Sequence, residues 1–164
     1  MPAADTTANA IREAVASVVD PEIRVVTIDE LGILRDVTVD AAGRTAITIT
    51  PTYAGCPAMD VIRADVVAAA RGAGATDVEV QTDLTPAWST DHISASGRAK
   101  MAAAGIAPPG PVRRAEQVLL QISVRCPRCG SPATQELSHF GSTACKSLWR
   151  CTACLEPFDH IKAH

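Results

Sequence analysis

The six cysteines of this 164-residue chain could bind metal ions, form disulfides or act as nucleophiles. Their spacing separates them into two groups. Four of them form two pairs with two residues inside each pair, Cys126 with Cys129 and Cys151 with Cys154. Two such pairs can direct four sulfurs at one ion, which is the pattern of a four-cysteine zinc ribbon. Because four thiolates close a tetrahedral site, we expect a structural Zn²⁺ there and no open position for a substrate.

The sequence leaves other uses of the same four thiols open. Rubredoxin-like iron or an iron–sulfur cluster also accepts four thiolates, and two disulfides would use the same residues. The regular spacing of the pairs favours the four named cysteines as the ligands. Three further side chains of this region could each replace one of them: Cys145, His139 and His160.

Cys56 stands apart from the other five cysteines, between a predicted strand and a predicted helix. It falls at the expected N-cap of that helix, with Pro57 at the first helical position. Free amides and the helix dipole there would favour a thiolate, which is both a nucleophile and a ligand for soft metals. An inert, buried thiol is the alternative. A protease-like partner is not indicated, since nothing ties His92 to this cysteine, and no thioredoxin-type pair or Gly-rich phosphate loop is present.

Two carboxylates flank a rigid proline at the end of the first predicted helix, in the segment Asp20-Pro21-Glu22. They could ligate a metal or orient a partner. From the residues alone a solvated turn is the favoured interpretation, because proline disfavours a helical conformation in the residue before it. Thr52, in the segment that leads to Cys56, could donate a hydrogen bond.

Composition and charge limit the class of protein. The hydrophobic share of 47% and the charged share of 20% argue against general disorder. The formal charge of −3 argues against a nucleic-acid partner, and no apolar run is long enough for a membrane span. Because the first residues show no secretory pattern, we expect a cytoplasmic protein, in which six cysteines favour metal or thiol chemistry over disulfides.

Hydrophobic periodicity predicts the elements that must position these residues. The first part of the chain has the order helix, strand, strand, helix, strand, helix, with a hairpin turn at 41–43. This order predicts a small α+β sandwich with one mixed sheet. The predicted helices span 7–19, 57 to a stop at 72–74, and 90–104, and the predicted strands span 33–39, 45–50 and 78–84.

A Pro- and Gly-rich segment, residues 105–111, separates this part from the cysteine-rich tail. Its prolines and glycines are expected to prevent helix or ladder pairing, so we place the domain boundary there, with domains at 1–106 and 107–164. A strand is predicted over 117–124, ahead of the first cysteine pair. The tail carries too little apolar surface to fold alone, so its metal is expected to supply folding energy.

Several short segments occur in an order and spacing that resemble a known family. Four lie in the first part of the chain: 19–23 (Val-Asp-Pro-Glu-Ile), 31–33, 52–57 (with Gly-Cys-Pro) and 84–88. They resemble the SufT-like iron–sulfur assembly domain family. In the tail, Phe140–Lys146 and Glu156–Asp159 resemble the D-subunit family of bacterial phenylacetyl-CoA 1,2-epoxidases, in which such a domain is followed by a zinc ribbon.

The resemblance implies an accessory, non-enzymatic subunit of a ring-epoxidising oxygenase of phenylacetate catabolism, which assists iron or iron–sulfur cluster insertion. The partners it implies are the oxygenase and reductase subunits. Carried over to this chain, Cys56 is the candidate transient iron or cluster ligand, with Asp20, Glu22 and Thr52 beside it. A homodimer could supply a second Cys56. A non-catalytic scaffold that bridges oxygenase subunits is the main alternative, and a thiol-dependent transferase or hydrolase is the third.

Overall fold

The computed structural model describes residues 2–53, 55–110 and 124–163. The chain divides into two compact units, Met1–Trp88 and Ser89–His164. The described residues form three α-helices and two sheets, which confirms the predicted α+β class. No helix among them is both long and apolar enough to cross a bilayer. The strand predicted over 117–124 lies outside the described residues except for its last position, and the boundary between 106 and 107 stays a prediction.

The first unit holds two helices and three strands in the predicted order. They are α1 (Pro2–Ala16), β1 (Leu34–Val39), β2 (Arg44–Ile49), α2 (Ala58–Gly72) and β3 (Asp77–Thr82). The sheet has the order β1-β2-β3. β1 and β2 pair antiparallel, whereas β2 and β3 pair parallel, so the sheet is mixed as predicted. A parallel pair needs a crossover connection, which α2 supplies.

The core of the first unit lies between the two helices and one face of the sheet. α1 contacts α2 and β1, and α2 contacts β3. Alternation along β2 buries every second residue, namely Thr45, Ile47 and Ile49. On α2 the buried residues recur at helical spacing: Ala58, Ile62, Val66 and Ala70. This packing fixes the end of β2 and the start of α2, and the segment between them carries Cys56.

α1 ends earlier than predicted, at Ala16 rather than at residue 19. Val18 and Val19 continue the helical periodicity, but they belong to a small antiparallel bridge. Val19 pairs with Thr27, and the Ile28 amide donates to the Val18 carbonyl at 2.9 Å. Valine is well suited to an extended backbone, so the tertiary pairing overrides the helical pattern.

The second unit joins one helix to a four-stranded sheet. Its elements are a 3₁₀ turn (Thr90–His92), α3 (Ala95–Ala103), β4 (Ile106–Ala107), β5 (Thr134–Ser138), β6 (Lys146–Cys151) and β7 (Pro157–Ile161). The sheet order is β4-β7-β6-β5, antiparallel except for the β4–β7 pair. The single helix predicted over 90–104 is interrupted because Ile93 is extended, and Ser89 and Ser94 cap the two pieces separately.

The Pro- and Gly-rich segment begins with a strand, which corrects the expectation that it sustains no ladder pairing. Ile106 pairs with Asp159 and Ala107 pairs with His160, both in the parallel direction. The prolines of the segment follow this dipeptide, so both of its amides remain available for pairing. The segment is therefore tied to β7 at its first residues.

A small apolar cluster lies in the second unit. It contains Ala107, Val124, Cys126, Cys151 and Phe158, with Trp149 packed against it. The His160 ring meets the Trp149 ring edge-on with centroids 5.8 Å apart, and its Nδ1 lies 3.3 Å from Ser147 Oγ. Burial of the imidazole lowers the pKa of His160 to about 4, although the charge of Glu136 opposes the shift.

We expect acid to destabilise the second unit through His160. Its pKa in the folded chain, about 4, lies below the usual value of about 6.5, so unfolded chains bind a proton that folded chains do not. The neutral ring makes its full contribution to the free energy of unfolding above pH ~6.5. This contribution is lost as the pH falls towards 4, and the loss reaches up to about 1 kcal/mol at pH ~5.5.

Thermal unfolding of the zinc-loaded chain at neutral pH and at pH ~5.5 measures this loss. His160→Asn should lose less stability than wild type over this range. His139→Asn is the matched control, because the His139 side chain is 69% exposed in the same unit. Equal losses in wild type and both variants would contradict the assignment to His160.

Candidate functional site

Two knuckles of the same backbone design bring the four paired cysteines together. In the first, the Cys126 amide donates to the Ser131 carbonyl at 3.0 Å, and in the second the Cys151 amide donates to the Glu156 carbonyl at 2.9 Å. An ion pair joins the knuckles, since the Arg128 guanidinium contacts the Glu156 carboxylate. Sequence reasoning missed this ion pair, because no local pattern relates two residues 28 positions apart.

Each knuckle places a left-handed residue directly after its second cysteine. Gly130 takes this place in the first knuckle with φ 72°, and Leu155 takes it in the second with φ 65°. Glycine adopts this conformation freely, whereas it costs a leucine about 1–2 kcal/mol. Leu155 is 60% exposed, so its side chain gains little packing in return. Some other interaction must hold the second knuckle in this shape, and an ion shared by the four sulfurs would do so.

The four sulfurs have the spacing that a tetrahedral zinc ion needs. All four Sγ atoms lie within 4.8 Å of one another. The Sγ atoms of Cys126 and Cys154 are 3.7 Å apart, and those of Cys129 and Cys151 are 3.6 Å apart. A zinc–sulfur distance of about 2.3 Å gives tetrahedral edges of about 3.8 Å, so the tetrad fits the ion. These separations are too long for disulfides, and all six cysteines are free thiols.

The thiols of the tetrad influence one another electrostatically. Hydrogen bonds from the amides of Cys154 and Ala153 lower the pKa of Cys151 to about 6. The Ser131 amide favours the Cys129 thiolate, but the neighbouring thiols, Cys154 foremost, raise the pKa of Cys129 to about 12. Backbone amides thus favour thiolates in the tetrad while the neighbouring thiols oppose further charge, so a cation is needed before all four sulfurs can ionise.

The tetrad lies at the edge of the apolar cluster rather than in its middle. Cys126 and Cys151 are buried members of that cluster, whereas Cys129 and Cys154 are exposed. The first cysteine of each pair thus anchors the site to the apolar cluster, and the second closes it from the solvent side. Four thiolates leave no coordination position for water or substrate, so the arrangement can hold an ion but offers no catalytic position.

The three alternative ligands lie outside the tetrad. Cys145 is half-buried, and its sulfur lies 3.1 Å from the Thr143 hydroxyl. His139 is exposed and pairs with Glu136 at 3.2 Å. His160 packs against the sheet as described above. Among the described residues, none of the three belongs to a group of donors close enough to share the tetrad's ion.

Cys56 lies one residue before the cap of α2, not at the cap as predicted. The N-cap is Pro57, which already has helical angles (φ −69°, ψ −20°) and makes no side-chain cap hydrogen bond. The Cys56 amide donates to the Tyr53 carbonyl, and its carbonyl accepts from the Met59 amide, both at 3.3 Å. The side chain is half-buried. Cys56 is therefore not sealed in the core. Beside it, the exposed Gly55 has φ +82° and nothing within 4 Å of its Cβ position.

Asp20 organises a buried turn rather than a solvated one. Its Oδ1 accepts from the Glu22 amide at 2.9 Å and from the Ile23 amide at 2.6 Å, and its own amide donates to the Val26 carbonyl at 3.0 Å. Asp20 is 5% exposed, whereas Glu22 is half-buried. The proline does end the helical pattern, but burial makes the carboxylate a structural acceptor for two amides.

The structure does not gather the Cys56 segment into a multidentate site within the described residues. There, the ribbon tetrad is the sole group of three or more Cys, His, Asp or Glu donors close enough to share an ion. Thr52 is half-buried in the segment before Cys56. Thr50, at the end of β2, is fully buried, and its Oγ1 has no hydrogen-bond partner among the described residues.

Comparison with known proteins matches the two parts of the chain separately. Residues 8–82 match a family described as "Iron-sulfur cluster assembly protein", and residues 112–162 match a family described as "PaaD zinc beta ribbon domain". The crystal structure of a domain of unknown function, DUF59, from Bacillus anthracis superposes with a TM-score of 0.54 at 29% identity. It covers 59% of this chain and 92% of that chain.

Two relatives extend the comparison. An Escherichia coli (strain K12) protein, named as the putative D subunit of 1,2-phenylacetyl-CoA epoxidase, is 45% identical over 143 residues, which are 87% of this chain and 85% of that protein. The "Fe-S protein maturation auxiliary factor" of Bacillus subtilis (strain 168) is 40% identical over 85 residues, which are 51% of this chain and 82% of that protein. This chain therefore belongs to the family of 1,2-phenylacetyl-CoA epoxidase D subunits, with an iron–sulfur cluster assembly domain followed by a zinc β-ribbon.

Proposed function

We propose that this chain is an accessory maturation subunit of a phenylacetyl-CoA 1,2-epoxidase complex, without catalytic activity of its own, which assists the insertion of iron or an iron–sulfur cluster. The names of its relatives support the general role, since one is a subunit of that epoxidase and another an iron–sulfur maturation factor. We infer that the oxygenase and reductase subunits are the partners. The free state of all six cysteines supports a reducing, cytoplasmic setting.

One observation carries this proposal: the chain presents sulfur in two separate ways. Four cysteines form a closed tetrad, whereas Cys56 stands in another unit, half-buried beside the open position of Gly55. A closed set of four thiolates keeps its ion. A single thiolate holds iron or a cluster weakly, and weak binding is what a donor requires. We therefore assign transient binding to Cys56.

The surroundings of Cys56 support hydrogen bonding to a sulfur-rich cargo. Thr52 is half-buried in the same segment and is assigned as a donor to the thiolate or to the cargo. The hydroxyl of Thr50, buried and unpaired among the described residues, lies at the start of this segment but is closed to a cargo that arrives from solvent. Asp20 shapes the turn that carries Glu22, and Glu22 is the carboxylate assigned to iron. A second Cys56 from a homodimer would complete the ligation.

We infer a structural Zn²⁺ in the ribbon, held by Cys126, Cys129, Cys151 and Cys154. The sulfur separations and the donor set support zinc. The ion supplies binding energy and no chemistry, because the thiolates occupy all four positions. Its role is to hold together a unit whose apolar cluster is small.

A scaffold that bridges oxygenase subunits is the second candidate. Within the described part of the chain, Cys56 belongs to no group of three donors able to share an ion, and this favours the scaffold. In that case Cys56 is an inert thiol, and the ribbon carries the function through contacts alone.

Removal of zinc should unfold the ribbon and spare the first unit. The small apolar cluster cannot order this part of the chain without the ion. Amide NMR after treatment with a strong chelator should lose the dispersed signals of 124–163 and keep those of 8–82. Cys126→Ser should give the same spectrum without chelator, whereas Cys145→Ser should retain one zinc per chain. If elemental analysis finds no metal and the ribbon nevertheless keeps its dispersed signals, this expectation is wrong.

Asp20→Ala should destabilise the first unit, because the amides of Glu22 and Ile23 lose their shared acceptor. The expected loss in urea unfolding is about 1–3 kcal/mol. Asp20→Asn keeps an acceptor oxygen and should lose less, and Glu22→Gln is the matched control with a change within about 0.5 kcal/mol. Normal stability of Asp20→Asn together with failed cluster transfer would instead make Asp20 a ligand.

Cys56→Ala should abolish delivery of iron or cluster. Apo reductase and apo oxygenase are reconstituted with iron and sulfide in the presence of wild type, Cys56→Ala or Cys145→Ala, and recovered activity and cluster absorbance are followed in time. Wild type and Cys145→Ala should accelerate recovery, whereas Cys56→Ala should match the rate without added protein. Equal acceleration by Cys56→Ala would remove the delivery role and favour the scaffold.

A further inference from the structure

Two large apolar side chains of the second unit face solvent close to each other along the chain. Phe140 is 69% exposed and Leu137 is 50% exposed. Leu137 lies at an irregularity of β5, where the ladder with β6 pairs Glu136 and Ser138 and skips the residue between them. A bulge of this kind redirects a side chain, and here it leaves the leucine in solvent.

The segment after β5 holds Phe140 in one backbone conformation. We call residues 139–145 the Phe140 loop. Ser138 Oγ accepts from the Phe140 amide at 3.2 Å and donates to the Phe140 carbonyl at 2.8 Å. The Gly141 amide donates to the Lys146 carbonyl at 2.8 Å, which closes the loop onto β6. Both ends of the loop are therefore tied to strands.

A buried lysine anchors the Phe140 loop from within. Lys146 is 6% exposed. Its Nζ donates to Ser142 Oγ at 3.3 Å and lies 4.0 Å from Asp159 Oδ2, to which Ser142 Oγ also donates at 3.3 Å. A buried lysine is costly unless its partners keep good geometry, so this set resists rearrangement. The loop is ordered before any partner arrives, and binding through it costs little conformational entropy.

A positive charge lies against the exposed ring. Lys162 Nζ is 4.9 Å from the centroid of Phe140 and donates to the His139 carbonyl at 3.3 Å. It forms no ion pair with the residues described in 2–53, 55–110 and 124–163.

The second unit as a whole carries a net positive charge, as Lys162 does. Residues 89–164 carry nine Lys and Arg against five Asp and Glu, whereas residues 1–88 carry six against 13. Four thiolates with one Zn²⁺ add a net −2, so the zinc-loaded second unit keeps a formal charge of +2. The overall charge of −3 conceals this asymmetry, because it sums two units of opposite sign.

Long-range electrostatics steers association, so the positive charge of the second unit, with the Lys162 ammonium beside the Phe140 ring, favours an acidic partner. The carboxylates near this surface, Glu136 and Asp159, are already engaged, the first by His139 and the second by Lys146 and Ser142.

We propose that Leu137, Phe140 and Lys162 form a docking surface for the protein that receives the iron or cluster. The partner presents an apolar pocket to the Phe140 ring and a carboxylate to Lys162. This inference rests on the proposed function, because it names the part of the chain that finds the recipient. A second copy of the chain is less suitable, since a self-complementary contact through this surface would bring two positively charged units together.

Calorimetric titration of the full, zinc-loaded chain into purified apo reductase and into purified apo oxygenase tests the surface at low and high salt. Wild type should bind one of them, and more weakly at high salt. Phe140→Ser should weaken binding at least about tenfold. Lys162→Glu should weaken it and remove most of the salt dependence. Leu84→Ser is the matched control: it removes an exposed apolar side chain of the first unit (64% exposed) and should keep the affinity.

A second variant separates docking from folding. Zinc content and melting temperature of Phe140→Ser should match wild type, because the side chain packs against little of the unit. Gly141→Ala would place its methyl group 3.1 Å from Lys146 Cβ and 3.2 Å from Asp159 Oδ1, so these neighbours must shift by a few tenths of an ångström. It should displace the Phe140 loop and weaken binding while zinc content stays unchanged.

The outcomes separate this inference from the proposed function. Unchanged affinity in Phe140→Ser, or a wild type that binds neither protein, overturns the docking surface even where Cys56-dependent delivery persists. Phe140-dependent binding with equal delivery by Cys56→Ala supports the surface and overturns delivery. A wild type that sediments as a dimer, with Phe140→Ser as a monomer, assigns the surface to a second copy and overturns the recipient as its occupant.

Discussion

Convergence of four sulfurs on one point is the constraint on which the second unit depends. Two of the five members of its apolar cluster are themselves the ligands Cys126 and Cys151. Burial of an aliphatic or aromatic side chain contributes about 1.5–3 kcal/mol, and ordering each residue of a chain costs about 1–2 kcal/mol. Because the described cluster is small and shares two residues with the tetrad, we expect metal binding to contribute much of the stability of the ribbon. The side chain of Leu155 gains little packing energy to offset its left-handed backbone, and metal binding would offset that cost.

The first unit is stabilised by hydrophobic burial and needs no metal-ligand group among its described residues. Its helices and sheet enclose a continuous set of isoleucine and valine side chains, among them Ile47, Ile49 and Ile62, which are inaccessible to solvent. The segment between β2 and α2 buries Thr50 at its start, whereas residues 51–53 are only half-buried. Cys56 lies in that segment with a half-buried thiol. The two units thus present sulfur differently, as a closed tetrad in the second unit and as a single half-buried thiol in the first.

Much of the architecture could be predicted because its signals are local. The order of α1, β1, β2, α2 and β3 follows from periods of 3.6 and 2 residues, and the two knuckles follow from the spacing within each cysteine pair. Where non-local contacts decide, the prediction is wrong: Val19 leaves the helix to pair with Thr27, and Ile106 joins β7 despite the prolines that follow.

The sequence by itself determined the elements, the two classes of cysteine and the resemblance that names the family, because each depends on residue type at short spacing. Tertiary structure alone decided that Asp20 is a buried acceptor for two amides, that Arg128 meets Glu156 and that Lys146 is buried under the Phe140 loop. A residue's burial and its partners distant in sequence are set when elements pack, and packing has no signature at short spacing.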